Sequence, residues 1–262
     1  LRAVGYSTEM IYGGDLNFGN FNLLFSEAGI EKTVGKNDFP SEQLLSKWGV
    51  PDQYTLTYLH GEIIKAKQPF FKGLFTLSSH APFDTPMKQV FEVNNDDDKF
   101  YKSVYYTDKE LGRFINTLKS SPIWENTLVI LIADHGVGYG SKKPRHHPSK
   151  FKIPMLWLGG ALAERGLTIE QTCSQTDLST TLLNQLKIKH TPSVYSKDIL
   201  KSKGYAFYSY NNGFSFITDS STTCYDLNAK QFTLIKKPVD SLLGTYYMQY
   251  WADEFDQLEK ME

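Results

Sequence analysis

The stretch "LVILIADHGVGYG", residues 128–140, decides the fold class of this 262-residue chain. A continuous run of apolar residues leads directly into Asp134, His135 and Gly136. Such a short apolar run is typical of a buried strand in a parallel sheet. In open α/β sheets, ligand sites form beyond the carboxyl ends of the strands. The stretch therefore predicts a strand that delivers an aspartate and a histidine to a functional edge.

The rest of the chain alternates short apolar strands with amphipathic helices. This alternation predicts a three-layer αβα fold with a mostly parallel central sheet. Asn20 and Asp177 are predicted to cap helices, because Asn and Asp side chains accept hydrogen bonds from a helix's first amides. Further strands are predicted in residues 3–14, 70–80 and 153–160, and helices in 20–29, from about Asp52, in 100–121 and in 176–188.

The C-terminal part has a different pattern. Residues 204–239 alternate aromatic and polar side chains between turn signals, which predicts an antiparallel β meander. Residues 240–262 are predicted to form a terminal helix, with Leu243, Tyr247, Tyr250 and Trp251 on one side. With residues 1–203 as the α/β core, we predict a single domain over 1–262. The chain starts without Met and enters a strand almost at once, so we expect a fragment or a processed chain.

Composition excludes several partners and leaves the compartment open. The net charge of −1 gives no reason to expect nucleic acid or an anionic membrane surface as a partner. No apolar run reaches the roughly 18 residues that a membrane span requires, and no signal peptide is visible. Two cysteines are too few for a disulfide framework.

Asp134 and His135 are the first predicted ligands. A carboxylate and a neutral imidazole suit a divalent cation such as Zn²⁺ or Mn²⁺. Gly136 would let the backbone turn sharply away, so that both side chains converge. The alternative is that Asp134 caps a turn and His135 is an ordinary surface residue.

Other histidines repeat this placement. His80 ends the predicted strand 70–80, and His146 and His147 lie immediately before the predicted strand 153–160. Imidazoles suit both metals and phosphate-like anions. A surface cluster of histidines that arose by chance is the alternative interpretation.

A glycine-rich loop, "YGGDLNFGN", follows the first predicted strand. Gly13 and Gly14 permit close approach of a ligand, and Asp15 or Asn20 would bind a polar substrate group. The alternative is that Asp15 caps a turn and Asn20 caps the following helix.

Taken in order, "YGGDxxFxN", "SSHAPF", "IADHG", "HHPSKFKIPMLWLG" and "QTDLSTTLLNQL" resemble one family. It is the sulfatase-like domain of lipoteichoic acid synthases and their phosphoglycerol- and phosphoethanolamine-transferase relatives, in the alkaline phosphatase superfamily. The resemblance covers most of residues 5–200. It implies that Asp134 and His135 bind the catalytic divalent metal ion (Mn²⁺, Zn²⁺ or Mg²⁺) and that His80 contacts the substrate phosphate. His147 matches a further phosphate- or metal-binding histidine.

The resemblance also implies what residues 1–262 lack. The family uses an acidic metal ligand and a threonine nucleophile, both upstream of Leu1, so no catalytic nucleophile is expected here. Where lipoteichoic acid synthases carry a Trp and an Arg that helps bind glycerol phosphate, this chain has Gly19 and Phe21. Val137 stands where many relatives place an acidic residue. The headgroup therefore does not follow from the resemblance.

The implied reaction is transfer of a phosphoryl group from a membrane phospholipid or other phosphodiester to a glycan or alcohol acceptor. Sulfate-ester hydrolysis on the same fold and a non-catalytic binding module are the alternatives. The resemblance further implies upstream membrane helices and a domain on the outer, extracytoplasmic side of the cytoplasmic membrane. The isolated fragment is expected to be inactive.

Overall fold

The structure is a computed structural model that describes residues 1–88, 90–140, 142–144, 146–234 and 237–260. The chain divides into two compact units, and each is described by itself. The first comprises residues 1–132, 138–141 and 154–163, and the second comprises 133–137, 142–153 and 164–262. The single domain expected from the sequence remains a prediction.

A parallel sheet organises the first unit. Its three strands lie in the order β2-β1-β3, and both pairings are parallel. A second, two-stranded sheet pairs β4 with β5 in antiparallel orientation. The strands are β1 (Ser7–Tyr12), β2 (Lys32–Val34), β3 (Phe70–Phe75), β4 (Val129–Ile132) and β5 (Met155–Leu158), and the helices are α1 (Phe21–Glu27), α2 (Asp52–Lys65) and α3 (Asp96–Lys119).

A buried carboxylate fixes the register of the parallel sheet. Glu9 of β1 lies opposite Lys32 of β2 and Lys72 of β3 and forms ion pairs with both. Burial opposes ionisation of Glu9, but hydrogen bonds from the two lysines outweigh it and keep its pKa below the ordinary value. A shift of one residue in either neighbour would leave this carboxylate buried without its partner, which is costly.

The helices cover the sheet largely as their spacing predicts. Leu56, Leu59 and Ile63 of α2 are buried, and so are Ile115 and Leu118 of α3. Val104 shares the helical spacing of these two residues, but its side chain is 42% exposed. Helix α3 is 24 residues long, and its buried aliphatic residues lie in its C-terminal half, whereas Tyr106 is the buried apolar residue of its first half. The helical periodicity of this stretch is therefore correct, although Val104 itself is not buried.

The second unit contains the predicted meander and two helices. Strands β6 to β9 pair with their sequence neighbours, and each pairing is antiparallel. The two-residue turn at Asn211 and Asn212 connects β6 and β7 as expected. The elements are α4 (Asp177–Gln185), β6 (Tyr205–Tyr210), β7 (Gly213–Thr218), β8 (Ser221–Asp226), β9 (Gln231–Leu234) and α5 (Pro238–Glu259).

One prediction about these helices needs correction. Asp177 was expected to cap α4, but it is the first helical residue, and its buried carboxylate accepts hydrogen bonds from the Ser174 and Lys197 amides. It also forms a buried ion pair with the Lys197 ammonium. On α5, Tyr247 packs on the meander, whereas Leu243 and Trp251 are exposed. Within the described ranges, no helix combines the length and the apolar character that crossing a bilayer requires.

Candidate functional site

Asp134 and His135 form an exposed pair directly after β4. Their side chains are 68% and 74% exposed, and Asp134 Oδ2 lies 3.4 Å from His135 Nε2. The other carboxylate oxygen accepts a hydrogen bond from the His135 amide at 2.8 Å. The carboxylate is thus oriented by its own backbone and keeps lone pairs for a ligand.

The hydrogen bond at His135 Nδ1 assigns its tautomer. Nδ1 lies 2.9 Å from the carbonyl oxygen of Gly136. Because a carbonyl only accepts, Nδ1 carries the proton and the neutral ring has its lone pair on Nε2. A backbone carbonyl in this position is the usual outer partner of a metal-binding histidine. Asp134 and His135 therefore fit a divalent cation by the chemistry of their donor atoms.

Gly136 is required by close packing. It does not have a positive φ, so the sharp left-handed turn that a glycine permits is not its role. A Cβ at this position would instead clash with the carbonyl group of Lys150. In addition, the Gln175 side-chain amide donates hydrogen bonds to the carbonyl oxygens of Ala133 and Asp134 at 2.7 and 3.1 Å. Two other segments of the second unit therefore contact this turn.

His147 has the opposite tautomer. It precedes a short 3-10 helix, Pro148–Lys150, and its Nδ1 accepts a hydrogen bond from the Ser149 amide at 3.2 Å. The Ser149 hydroxyl lies 2.9 Å from the same nitrogen. Because the amide donates, Nδ1 carries the lone pair and the neutral ring presents Nε2–H as a donor. This arrangement suits an anionic oxygen better than a metal.

His80 lies in the first unit, in the turn after β3. Its Nδ1 is 2.8 Å from the Ala81 carbonyl oxygen, which also accepts the indole N–H of Trp48 at 2.6 Å. The two rings meet edge to face, with centroids 5.5 Å apart. In the neutral ring the lone pair is again on Nε2. The His80 side chain is exposed, so this nitrogen is accessible as a hydrogen-bond acceptor.

The residue that orders the His80 turn is Asp52, whose role sequence reasoning missed. Asp52 is fully buried at the start of α2. Its Oδ1 accepts hydrogen bonds from the amides of Leu77 and Ser78 at 2.7 and 3.2 Å, and its Oδ2 accepts one from the Thr107 hydroxyl at 2.7 Å. An aspartate at a helix start ordinarily indicates a cap, so the sequence carries no signal for this contact across 25 residues.

In the glycine-rich loop after β1, the candidate residues are engaged by other protein groups to a greater extent than Asp134 and His135 are. Asp15 accepts a hydrogen bond from the Asn17 amide and pairs with Lys36 at 3.0 Å, and these contacts lower the pKa of its carboxyl group. Gly13 approaches the Val50 carbonyl rather than open space. Asn20 occupies the N-cap position of α1 in the left-handed region, without a side-chain capping bond. The predicted N-cap position of Asn20 is therefore confirmed, but its side chain does not form the capping hydrogen bond.

A small cavity of about 100 Å³ borders this loop. Its lining includes Asp15 and Lys36, so a charged pair faces the cavity. Asn20 is not among the lining residues.

The predicted residues thus fall into two groups. His80, Asp15 and Asn20 belong to the first unit, and Asp134, His135 and His147 belong to the second. Across the described parts of the chain, no group of three His, Cys, Asp or Glu side chains is placed to hold a metal ion. Asp134 and His135 present two donor groups whose chemistry suits a divalent cation, and the tautomer of His147 leaves an Nε2–H that suits an anionic acceptor.

A family model described as "Sulfatase" matches residues 1–188. The chain belongs to this family. The match includes β1 to β5, both histidine-bearing turns and α4.

Curated relatives carry names from lipoteichoic acid synthesis. Over 250 residues the chain is 24% identical to a lipoteichoic acid synthase-like protein, YvgJ, of Bacillus subtilis, covering 86% of this chain and 40% of that protein. It is 25% identical over 137 residues to lipoteichoic acid synthase 1 of the same organism, covering 50% of this chain and 21% of that protein. The chain therefore spans less than half the length of these relatives.

Solved structures confirm the fold class. An alkaline phosphatase superfamily protein from Vibrio parahaemolyticus matches with a TM-score of 0.77 and 23% identity, over 92% of this chain and 63% of that one. The lipoteichoic acid synthase LtaP of Listeria monocytogenes matches with a TM-score of 0.72 and 21% identity, over 95% and 71%. The αβα class with a C-terminal meander and helix, expected from the sequence, is confirmed.

Proposed function

We propose that this sulfatase-family chain is part of a metal-dependent phosphoryl transferase that acts on phosphodiesters of membrane lipids. The observation that carries the proposal is the Asp134–His135 pair, whose carboxylate and imidazole Nε2 lie 3.4 Å apart on exposed side chains directly after β4. The curated relatives are named for lipoteichoic acid synthesis, which supports phosphoglycerol transfer. Phosphoethanolamine transfer is the near variant that the family resemblance implies. The acceptor would be a glycan or other alcohol, and the domain would work outside the cytoplasmic membrane.

Asp134 and His135 would hold the divalent cation, Mn²⁺, Zn²⁺ or Mg²⁺. A bound cation offsets charge on the non-bridging phosphate oxygens and lowers the pKa of a coordinated hydroxyl. The backbone contacts of both residues fix their donor atoms before the ion arrives, which reduces the cost of assembling the site. Remaining ligands, including the acidic residue of the family, would lie outside residues 1–262.

The two remaining histidines would have different roles, because their neutral tautomers differ. The Nε2–H of His147 is suited to donate a hydrogen bond to a phosphate oxygen, where negative charge builds up during transfer. His80, with its lone pair on Nε2, is suited to take the proton of an attacking alcohol and return it to a leaving one. Asp15, paired with Lys36, and Asn20 are proposed to contact polar groups of the substrate.

The nucleophile of the family, a threonine, would come from outside residues 1–262. Its oxygen forms a bond to phosphorus while the bond to the first alcohol breaks, and that alcohol leaves with a proton. The second alcohol then attacks phosphorus, the threonine–phosphorus bond breaks, and the threonine regains a proton. Positioning and charge stabilisation account for most of the catalysis in such reactions.

Sulfate-ester hydrolysis is the second candidate, because the matching family model is named for sulfatases. The fold serves both chemistries, so the family name alone does not separate them. A sulfatase would need an upstream Cys or Ser that is converted to formylglycine. A non-catalytic module would turn over neither class of ester.

The test is an assay of the intact protein with labelled phosphatidylglycerol, phosphatidylethanolamine and an aryl sulfate, with each metal in turn. We expect turnover of a phospholipid, and a loss of about a hundredfold or more in Asp134→Asn and His135→Gln, because losing a direct ligand costs more than losing an outer partner. Asp108→Asn and His190→Gln are the matched controls, since both residues lie outside the candidate site. Hydrolysis of the sulfate alone, or equal activity in site and control variants, would refute the proposal.

A further inference from the structure

The strand β6 of the meander reaches the loop that carries His147. The Tyr208 hydroxyl donates a hydrogen bond to the carbonyl oxygen of His146 at 3.1 Å. We propose that Tyr208 is a positioning residue, which holds His147 and, through Phe151, the Asp134–His135 turn. The inference rests on the proposed function for the role of those three residues, but its structural part is testable without it.

The first path runs through the backbone next to His147. Tyr208 fixes the carbonyl of His146, the residue immediately before His147, and His147 in turn begins the 3-10 helix Pro148–Lys150. Burial raises the pKa of Tyr208 to about 12, so its hydroxyl keeps its proton at neutral pH and remains a donor. The hydrogen bond from Tyr208 thus restrains the peptide that precedes His147, and this restraint helps to keep the His147 ring oriented toward Ser149.

The second path runs through Phe151. The rings of Phe151 and Tyr208 are stacked, with centroids 3.9 Å apart and planes 21° from parallel. The backbone of Lys150 and Phe151 packs against Gly136, where a Cβ would clash with it. One aromatic side chain therefore supports the peptide before His147 and the segment that packs on the turn at Asp134 and His135.

Side chains alternate between the two faces of β6, so the residues that contact the His147 loop are different from those that pack the core of the meander. Tyr205 and Phe207 lie on one face of the strand and contact Tyr247 of α5. Tyr208 and Tyr210 lie on the other face, where they contact Phe151 and His146. The face toward α5 builds the core of the meander, and the opposite face supports the loop.

This separation supplies a matched pair of variants. Tyr208→Phe removes the hydroxyl on the loop face and keeps the stacked ring. Tyr205→Phe removes a hydroxyl on the other face, where Tyr205 accepts a hydrogen bond from Tyr247 at 2.7 Å. Both changes are chemically identical and lie on the same strand.

The experiment measures amide hydrogen exchange and kcat/KM in the intact protein. We expect Tyr208→Phe to speed exchange at Ser149, whose amide is bonded to His147, by about three- to tenfold, the value of one hydrogen bond. We expect kcat/KM to fall by a similar factor, and both quantities to be unchanged in Tyr205→Phe. Faster exchange in an intact protein that turns over no phosphodiester would support the positioning role and refute the proposed function. Unchanged exchange at Ser149 in Tyr208→Phe, or an equal change in both variants, would overturn the inference.

Discussion

The turns after β3 and β4 each follow an apolar strand and carry a histidine, but they are stabilised by different contacts. The β3 turn is tied to a buried carboxylate, Asp52, which accepts three hydrogen bonds from other segments. The β4 turn carries an exposed carboxylate, Asp134, whose oxygen is bonded to the very next amide. A buried aspartate with several donors stabilises structure, whereas an exposed one oriented locally is free to bind a ligand. Burial therefore separates the two roles.

The largest expected effect that would test this comparison is at Asp52. We expect Asp52→Ala to lower the free energy of unfolding by about 3–5 kcal/mol, because the amides of Leu77 and Ser78 and the Thr107 hydroxyl lose their buried acceptor. Urea unfolding of this variant against Asp108→Ala, an exposed aspartate on α3, gives the difference. A loss equal to that of the control would show that Asp52 does not hold the turn.

An intermediate effect is expected at Gly136. Gly136→Ala places a methyl group against the Lys150 carbonyl, so we expect a loss of about 1–3 kcal/mol from overpacking. Gly61→Ala is the control, because it lies inside α2 with open space around it. There alanine should stabilise the helix by about 0.5–1 kcal/mol. If both variants stabilise the chain, the close packing at Gly136 is not required.

The smallest effect on stability is expected at Asp134. We expect Asp134→Asn to change the free energy of unfolding by less than about 0.5 kcal/mol, because the side chain is exposed and its contacts within the described residues are with its own turn. Thermal or urea unfolding in the absence of added metal checks this value. A loss above about 1 kcal/mol would assign Asp134 the same structural role as Asp52 and remove the contrast between the two turns.

Much of the fold could be predicted because it depends on local pattern. The strand at 128–133 and the helix from Asp52 follow from apolar periodicity, and the meander follows from alternation and turn residues. Asp177 shows where such reasoning fails. An aspartate at a helix start indicates a cap, yet its carboxylate is buried against Lys197, 20 residues away. The sequence pattern within one segment does not indicate which distant residue a side chain will contact.

The candidate site divides in the same way. The order of motifs identified Asp134, His135, His80 and His147 as residues of interest. Which nitrogen of each histidine is free depends on the partner of the other nitrogen, a carbonyl at His80 and His135 and an amide at His147. These partners are set by backbone conformation, which single-sequence reasoning does not give.

The sequence by itself determined the αβα class, the strand that ends in Asp134 and His135, and the family that the ordered motifs resemble. These features depend on periodicity and residue type, which a chain carries along its length. Only the tertiary structure decided that Asp52 holds the His80 turn, that Gly136 is needed for close packing, and that Tyr208 reaches the His147 loop. Each of these contacts joins residues distant in the sequence, and hydrogen-bond geometry at such range exists only in the folded chain.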